Sequence, residues 1–121
     1  MAEKRILLVD DEATTRAILA YLLREEGYDV ETVVGAAAAA KRLQSDSYTI
    51  VVTDLLLPDG SGTDVADTAV ELGMKALIIS GALAHLPDGA DARHELLTKD
   101  LGPSEIVAAV RQVIGNPAAN P

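Results

Sequence analysis

Polar residues with chemical potential stand at the ends of four apolar runs in this chain. Asp10-Asp11-Glu12 follow Ile6–Val9, Asp54 follows Ile50–Thr53, Ser80 ends Ala76–Ser80, and Lys99 follows Glu95–Thr98. Brought together, the carboxylates would repel and raise one another's pKa, and a divalent cation would relieve that. Mg²⁺ takes hard oxygen ligands, uses one or two carboxylates and keeps several waters. Asp10 or Asp11, together with Asp54, meets that description. Lys99 would add a second positive charge and Ser80 a hydroxyl. A carboxylate attacks phosphorus to give an acyl phosphate, and phosphoryl transfer needs mainly positioning and charge stabilisation. Asp54 is therefore read as the centre of a small acidic site that accepts a phosphoryl group.

Each of these residues also has a simpler reading. Asp54 could cap the following loop or helix, Ser80 could be a turn residue, and Lys99 a solvated surface lysine. Glu12 is read as an acidic residue of a helix's first turn, favoured by the macrodipole. His85 and His94 are read as surface residues. Asp59-Gly60-Ser61-Gly62 lacks the GK[ST] ending of a P-loop and reads as a turn leading into a capped helix.

The elements that must position these groups follow from periodicity. The β-rich runs are Ile6–Val9, Val30–Val34, Ile50–Thr53, Ala76–Ser80 and Glu95–Thr98. Helical stretches lie between them. Ala13–Glu26 carries Ile18/Leu22 and Leu19/Leu23 at i, i+4. Ala36–Leu43 is alanine-rich. Val65, Ala69 and Leu72 step at helical spacing, as do Ile106, Val110, Val113 and Ile114. Gly27 and Gly73 stand where helices end, and Pro103 suits a first helical turn. Strands alternating with helices predict a doubly wound α/β domain with a five-stranded parallel sheet. Ligands bind such a sheet at the carboxyl ends of its strands, so the topology itself brings the polar residues to one rim. Residues 82–94, with the Pro87-Asp88-Gly89 turn, predict a short or irregular fourth helix. The expected domain is 1–114, followed by a mobile tail over 115–121.

The 121 residues suit one domain. The balance of 10 basic against 19 acidic residues, a net charge of −9, opposes direct binding to nucleic acid or to an anionic membrane. Cysteine is absent, which excludes disulfides and Cys-ligated zinc. The apolar run after the N-terminal charges is too short for a signal peptide or membrane span. A cytoplasmic protein is expected, with an aliphatic core, since Phe and Trp are absent.

The ordered set ILLVDDE (6–12), VTDLLLPDGSG (52–62), IISG (78–81) and LLTKD (96–100) resembles the receiver domain of bacterial two-component response regulators, a flavodoxin-like fold. The likeness runs from Lys4 to about Ile114, and the joint pattern is far more specific than any one element. It implies a stand-alone phosphoacceptor module. Asp54 would be the phosphoacceptor. Asp10 and Asp11 would hold Mg²⁺, one of them through water, with the backbone carbonyl of Leu56 as a further ligand. Ser80 would hydrogen-bond the phosphoryl group and Lys99 would pair with it. Pro58 and Gly62 would shape the loop after Asp54. The implied partners are a histidine kinase or a histidine phosphotransfer protein, with output through protein–protein contacts.

The chain also departs from the pattern. Asp100 follows Lys99 where the family usually has proline. Leu96 stands where the family's switch aromatic commonly lies. The interval from Ser80 to Lys99 is short, which implies a remodelled face there. Leu56 and Ala82 occupy positions that tune phosphoryl hydrolysis in the family, and neither side chain can orient a water, so slow self-dephosphorylation is expected. A Mg²⁺-dependent phosphohydrolase is the enzymatic alternative. Leu56 stands where its second aspartate would be needed, and no cap insertion is evident. A phosphorylation-independent interaction module is the third reading, and the intact acid pair, Ser80 and Lys99 speak against it.

Overall fold

The structure, a computed structural model, describes residues 4–80, 95–98 and 102–115, with backbone only at Ser80 and 95–98. Strand β1 (Arg5–Val9) leads to helix α1 (Ala13–Glu26), β2 (Asp29–Val33), α2 (Ala36–Ser45) and β3 (Ile50–Asp54). A hairpin of two short strands follows, β4 (Leu56–Leu57) and β5 (Gly60–Ser61). Then come α3 (Gly62–Glu71), β6 (Lys75–Ser80), β7 (Glu95–Thr98) and α4 (Pro103–Ile114). The main sheet has five strands in the order β2-β1-β3-β6-β7, and every pair is parallel. The direction of winding therefore reverses between β1 and β3, where such sheets hold their ligands.

The alternation of side chains along the strands builds two cores. Ile6, Leu8, Ile50, Val52, Leu77 and Ile79 face α1 and α4. Leu7, Val9, Val51, Ala76 and Ile78 face α2 and α3. Strands covered on both faces need continuous apolar runs, which is what β1 and β3 have. Of the two helical pairs expected on α1, Leu19 and Leu23 are buried, whereas Ile18 is exposed. Leu23 has no exposed surface, so Leu23→Ala should cost about 2–5 kcal/mol.

Helix ends follow the residues that favour them. Gly27 ends α1 at φ 109° and Gly73 follows α3 at φ 88°, both left-handed. Ser61 caps α3 by accepting the Thr63 amide at 3.1 Å, as the reading of that turn required. Pro103 opens α4, where the Glu105 side chain accepts the Gly102 amide at 2.6 Å.

Three expectations are corrected. Strand β2 sits one residue earlier than Val30–Val34. Leu72 closes α3 as an exposed C-cap residue and adds nothing to its buried stripe. Glu12 is the N-cap of α1, not part of its first turn, and its carboxylate accepts the Thr15 hydroxyl instead of a helix amide. The expected irregular fourth helix, His85, His94 and the tail beyond Gly115 lie outside the described residues. Among the described residues, no helix is long and apolar enough to cross a membrane.

Candidate functional site

Strand β1 delivers Asp10 to the rim in a buried position and leaves Asp11 exposed. The backbone here is tied on three sides. The Asp10 amide donates to the Val33 carbonyl at 3.2 Å, continuing the β1–β2 pairing by one step. Asp10 Oδ1 accepts the Glu12 amide at 2.9 Å, which turns the chain into α1. Arg16, one turn into α1, donates from Nη1 to the Asp10 carbonyl at 2.9 Å. This cationic donor sets the turn from behind.

Asp54 is the last residue of β3 and only 5% exposed. It pairs in register with Ile79 of β6, and the Leu55 amide donates to the Ile79 carbonyl at 2.9 Å. The Asp54 carbonyl accepts the hydroxyl of fully buried Thr53 at 2.9 Å. Gly62 presses on the same peptide: a β-carbon there would lie 1.8 Å from the Asp54 carbonyl oxygen. The Gly62 amide also donates to the Leu55 carbonyl at 2.7 Å.

The result is one cluster. Asp10, Asp11 and Asp54 each present a carboxylate oxygen, and these oxygens lie within 4.8 Å of one another. Three carboxylates so close, two of them buried, form a hard-oxygen donor set of the kind that suits a divalent cation.

Ser80 ends β6 and pairs with Thr98, so its backbone stands at the same carboxyl edge of the sheet. Lys99 and Asp100 lie outside the described residues, directly after Thr98 in the chain. Leu56 is in β4 of the hairpin, with 74% of its surface exposed beside the rim. Arg16 and Thr53 buttress the site, although neither is among the residues whose chemistry marks it in the sequence. Arg16 falls in the first turn of the helix that follows the acid pair, a detectable signal. Thr53 is a polar residue inside an apolar strand, and such a residue needs a partner when buried.

The family profile of the response regulator receiver domain matches residues 6–111. The receiver protein CpdR from Brucella abortus is 30% identical over 116 residues, covering 92% of this chain and 97% of CpdR. The transcriptional regulatory protein CutR from Streptomyces coelicolor is 35% identical over 112 residues, but the match spans 88% of this chain and only 52% of CutR. Among solved structures, a CheY-like receiver from Methanospirillum hungatei superposes with a TM-score of 0.84 at 26% identity, covering 93% of this chain and 94% of that one. TrrA from Thermotoga maritima, solved in complex with Mg²⁺ and BeF, gives 0.80 at 31% identity and covers 91% and 98%. Sheet order, rim position and these likenesses agree: the chain belongs to the receiver-domain family of two-component response regulators, and it is a phosphoacceptor signalling module of that kind.

Proposed function

We propose that Asp54 is the phosphoacceptor and that Asp10 and Asp11 make its reaction Mg²⁺-dependent. The observation that carries this is the convergence of the three carboxylates at the β1/β3 reversal. An Asp54 carboxylate oxygen attacks phosphorus. The new O–P bond forms as the bond from phosphorus to the donor's imidazole nitrogen breaks, and that nitrogen keeps the electron pair. The product is an acyl phosphate on Asp54. The donor is a histidine kinase or a histidine phosphotransfer protein. Asp10, Asp11, Asp54 and the Leu56 carbonyl would hold the cation. When bound, Mg²⁺ supplies positive charge against the oxygens of the transferring group.

The protein's own residues do the rest. The strand ends and the Gly62 contact fix Asp54 so that no reorganisation is needed at the moment of transfer. Ser80 donates a hydrogen bond to the phosphoryl group and Lys99 pairs with it. Leu56 offers no group that could orient an attacking water, so self-dephosphorylation is slow. Output runs through protein–protein contacts. With Leu96 in the family's aromatic position, these contacts cannot depend on a rotating ring there.

Intact-mass measurement after treatment with acetyl phosphate and Mg²⁺ tests the reading. One phosphoryl adduct is expected on the wild type and none on Asp54→Ala. An unlabelled wild type would overturn the function, and an adduct that survives Asp54→Ala would overturn the site.

A further inference from the structure

Helix α2 starts without a cap of its own, because its N-cap residue is Gly35. The cap comes from Asp59, at the turn of the β4–β5 hairpin. Asp59 Oδ1 accepts the Ala36 amide at 2.7 Å, and Oδ2 accepts the Ala37 amide at 3.0 Å. Both surfaces are shaped to this contact. A β-carbon on Gly35 would stand 2.7 Å from Asp59 Oδ1, and one on Gly60 would stand 2.9 Å from the Ala36 β-carbon. Helix α3 draws its cap from the adjacent Ser61, whereas α2 takes its cap from the loop that follows the phosphoacceptor.

The segment from the end of β2 to the first turn of α2 contributes no side chain to the acidic cluster, yet it touches both halves of the rim. Its Val33 carbonyl accepts the Asp10 amide. Its Ala36 and Ala37 amides hold Asp59. Asp59 in turn lies between Leu57 and Gly60, which pair across the hairpin, as Leu56 and Ser61 do. A continuous brace therefore runs from the backbone of Asp10, across the start of α2, to the hairpin that carries Leu56. The hairpin's other end is fixed where Gly62 packs on Asp54.

We propose that Asp59 is a positioning residue for the cation site: by clamping the β4–β5 hairpin to the start of α2, it holds the Leu56 backbone in register with Asp10, Asp11 and Asp54. This rests on the reading of that triad as a Mg²⁺-dependent phosphoacceptor site. Asp59 touches neither the cation nor the phosphoryl group. It acts through the hairpin, as residues behind a metal ligand commonly do. If Asp59 were only a helix cap, its loss would lower stability and leave metal affinity alone.

The two roles separate in a Mg²⁺ titration of the full chain, followed by amide chemical shifts, on the wild type and three variants. Asp59→Ala removes both acceptors. Asp59→Asn keeps one. Ala36→Pro removes one donor at the first helical position, where proline is tolerated. Asp59→Ala is expected to weaken Mg²⁺ about tenfold, the lower end for loss of a residue supporting a metal ligand. Asp59→Asn and Ala36→Pro should fall between it and the wild type. In the wild type, Mg²⁺ should also shift the Ala36 and Ala37 amides, and Asp59→Ala should abolish that response. Wild-type affinity in a folded Asp59→Ala, whatever its melting temperature, would overturn the proposal. A wild type that binds no Mg²⁺ would overturn the phosphoacceptor reading as well.

Discussion

Gly62 and Asp54 are packed backbone to backbone, so closely that a β-carbon on Gly62 would stand 1.8 Å from the Asp54 carbonyl oxygen and 2.7 Å from its carbon. The obstruction is main chain and cannot swing aside. Gly62→Ala must therefore push the Asp54–Leu55 peptide or the first turn of α3. We expect a loss of about 1–3 kcal/mol, the usual range for overpacking, together with slower labelling by acetyl phosphate. Urea denaturation and a labelling time course on one preparation would check both. An unperturbed labelling rate would show that Asp54 tolerates a moved backbone.

Arg16 holds the acidic turn through the Asp10 carbonyl. A hydrogen bond from a charged donor is worth about 1.5–3 kcal/mol, and the half-exposed setting of Arg16 reduces that through solvent screening. Arg16→Met keeps the aliphatic stem and removes the donor. It should leave α1 folded by circular dichroism while lowering Mg²⁺ affinity severalfold.

Leu56 leads to a prediction about lifetime. Its side chain is exposed beside the rim and has no hydrogen-bonding group. Leu56→Asn introduces one and should shorten the lifetime of the phosphoryl group, as read by loss of the mass adduct after donor removal. A wild-type lifetime of seconds, or one that Leu56→Asn leaves unchanged, would remove Leu56 from the account.

Asp59 predicts a pH dependence. Hydrogen bonds from the Ala37 and then the Ala36 amide hold its carboxyl below the ordinary aspartate value. A group depressed in the folded state contributes stability above its unfolded pKa, and that contribution disappears as pH falls through the folded value. The stability gap between wild type and Asp59→Asn should therefore be constant at neutral pH and close below about pH 4. Denaturation curves of the pair from pH 6 to 3 would show it. A gap independent of pH would mean that Asp59 acts without its charge.

Tyr48 gives the opposite sign. Burial, and then its hydrogen bond to Glu31 at 2.5 Å, push its hydroxyl well above the ordinary tyrosine value. Tyr28 is raised as well, chiefly by burial. Each contributes stability below about pH 10 that is lost as pH rises toward its folded value. Ultraviolet titration of Tyr48→Phe against wild type should show the missing phenolate absorbance only in the late, denaturing part of the alkaline curve.

The sequence made the sheet and the acid triad legible for one reason: both depend on alternation and strand ends. Continuous apolar runs placed β1 and β3, and parallel topology then obliged Asp10 and Asp54 to share a rim. The β4–β5 hairpin was invisible because strands of two residues have no periodicity to read. The capping of α2 by Asp59 was hidden for a different reason. Capping rules examine the residue before the helix, and here that residue is glycine while the acceptor lies 23 residues away from Ala36. Glu12 departs from its expected first-turn place because an acidic residue beside a helix start fits the N-cap and the first turn equally well until the chain's path is known.

The end of α4 is held by Lys4, whose Nζ donates to the Ile114 carbonyl, and by Tyr28, whose hydroxyl donates to the Gly115 carbonyl at 2.7 Å. Lys4 precedes β1 and Tyr28 precedes β2, so both anchors stand at the amino edge of the sheet. A dye, bead or carrier attached at Gly115 would thus be tethered at the pole opposite the acidic rim. Chains immobilised that way would all present Asp54 outward, an orientation well suited to capturing a phosphodonor from solution.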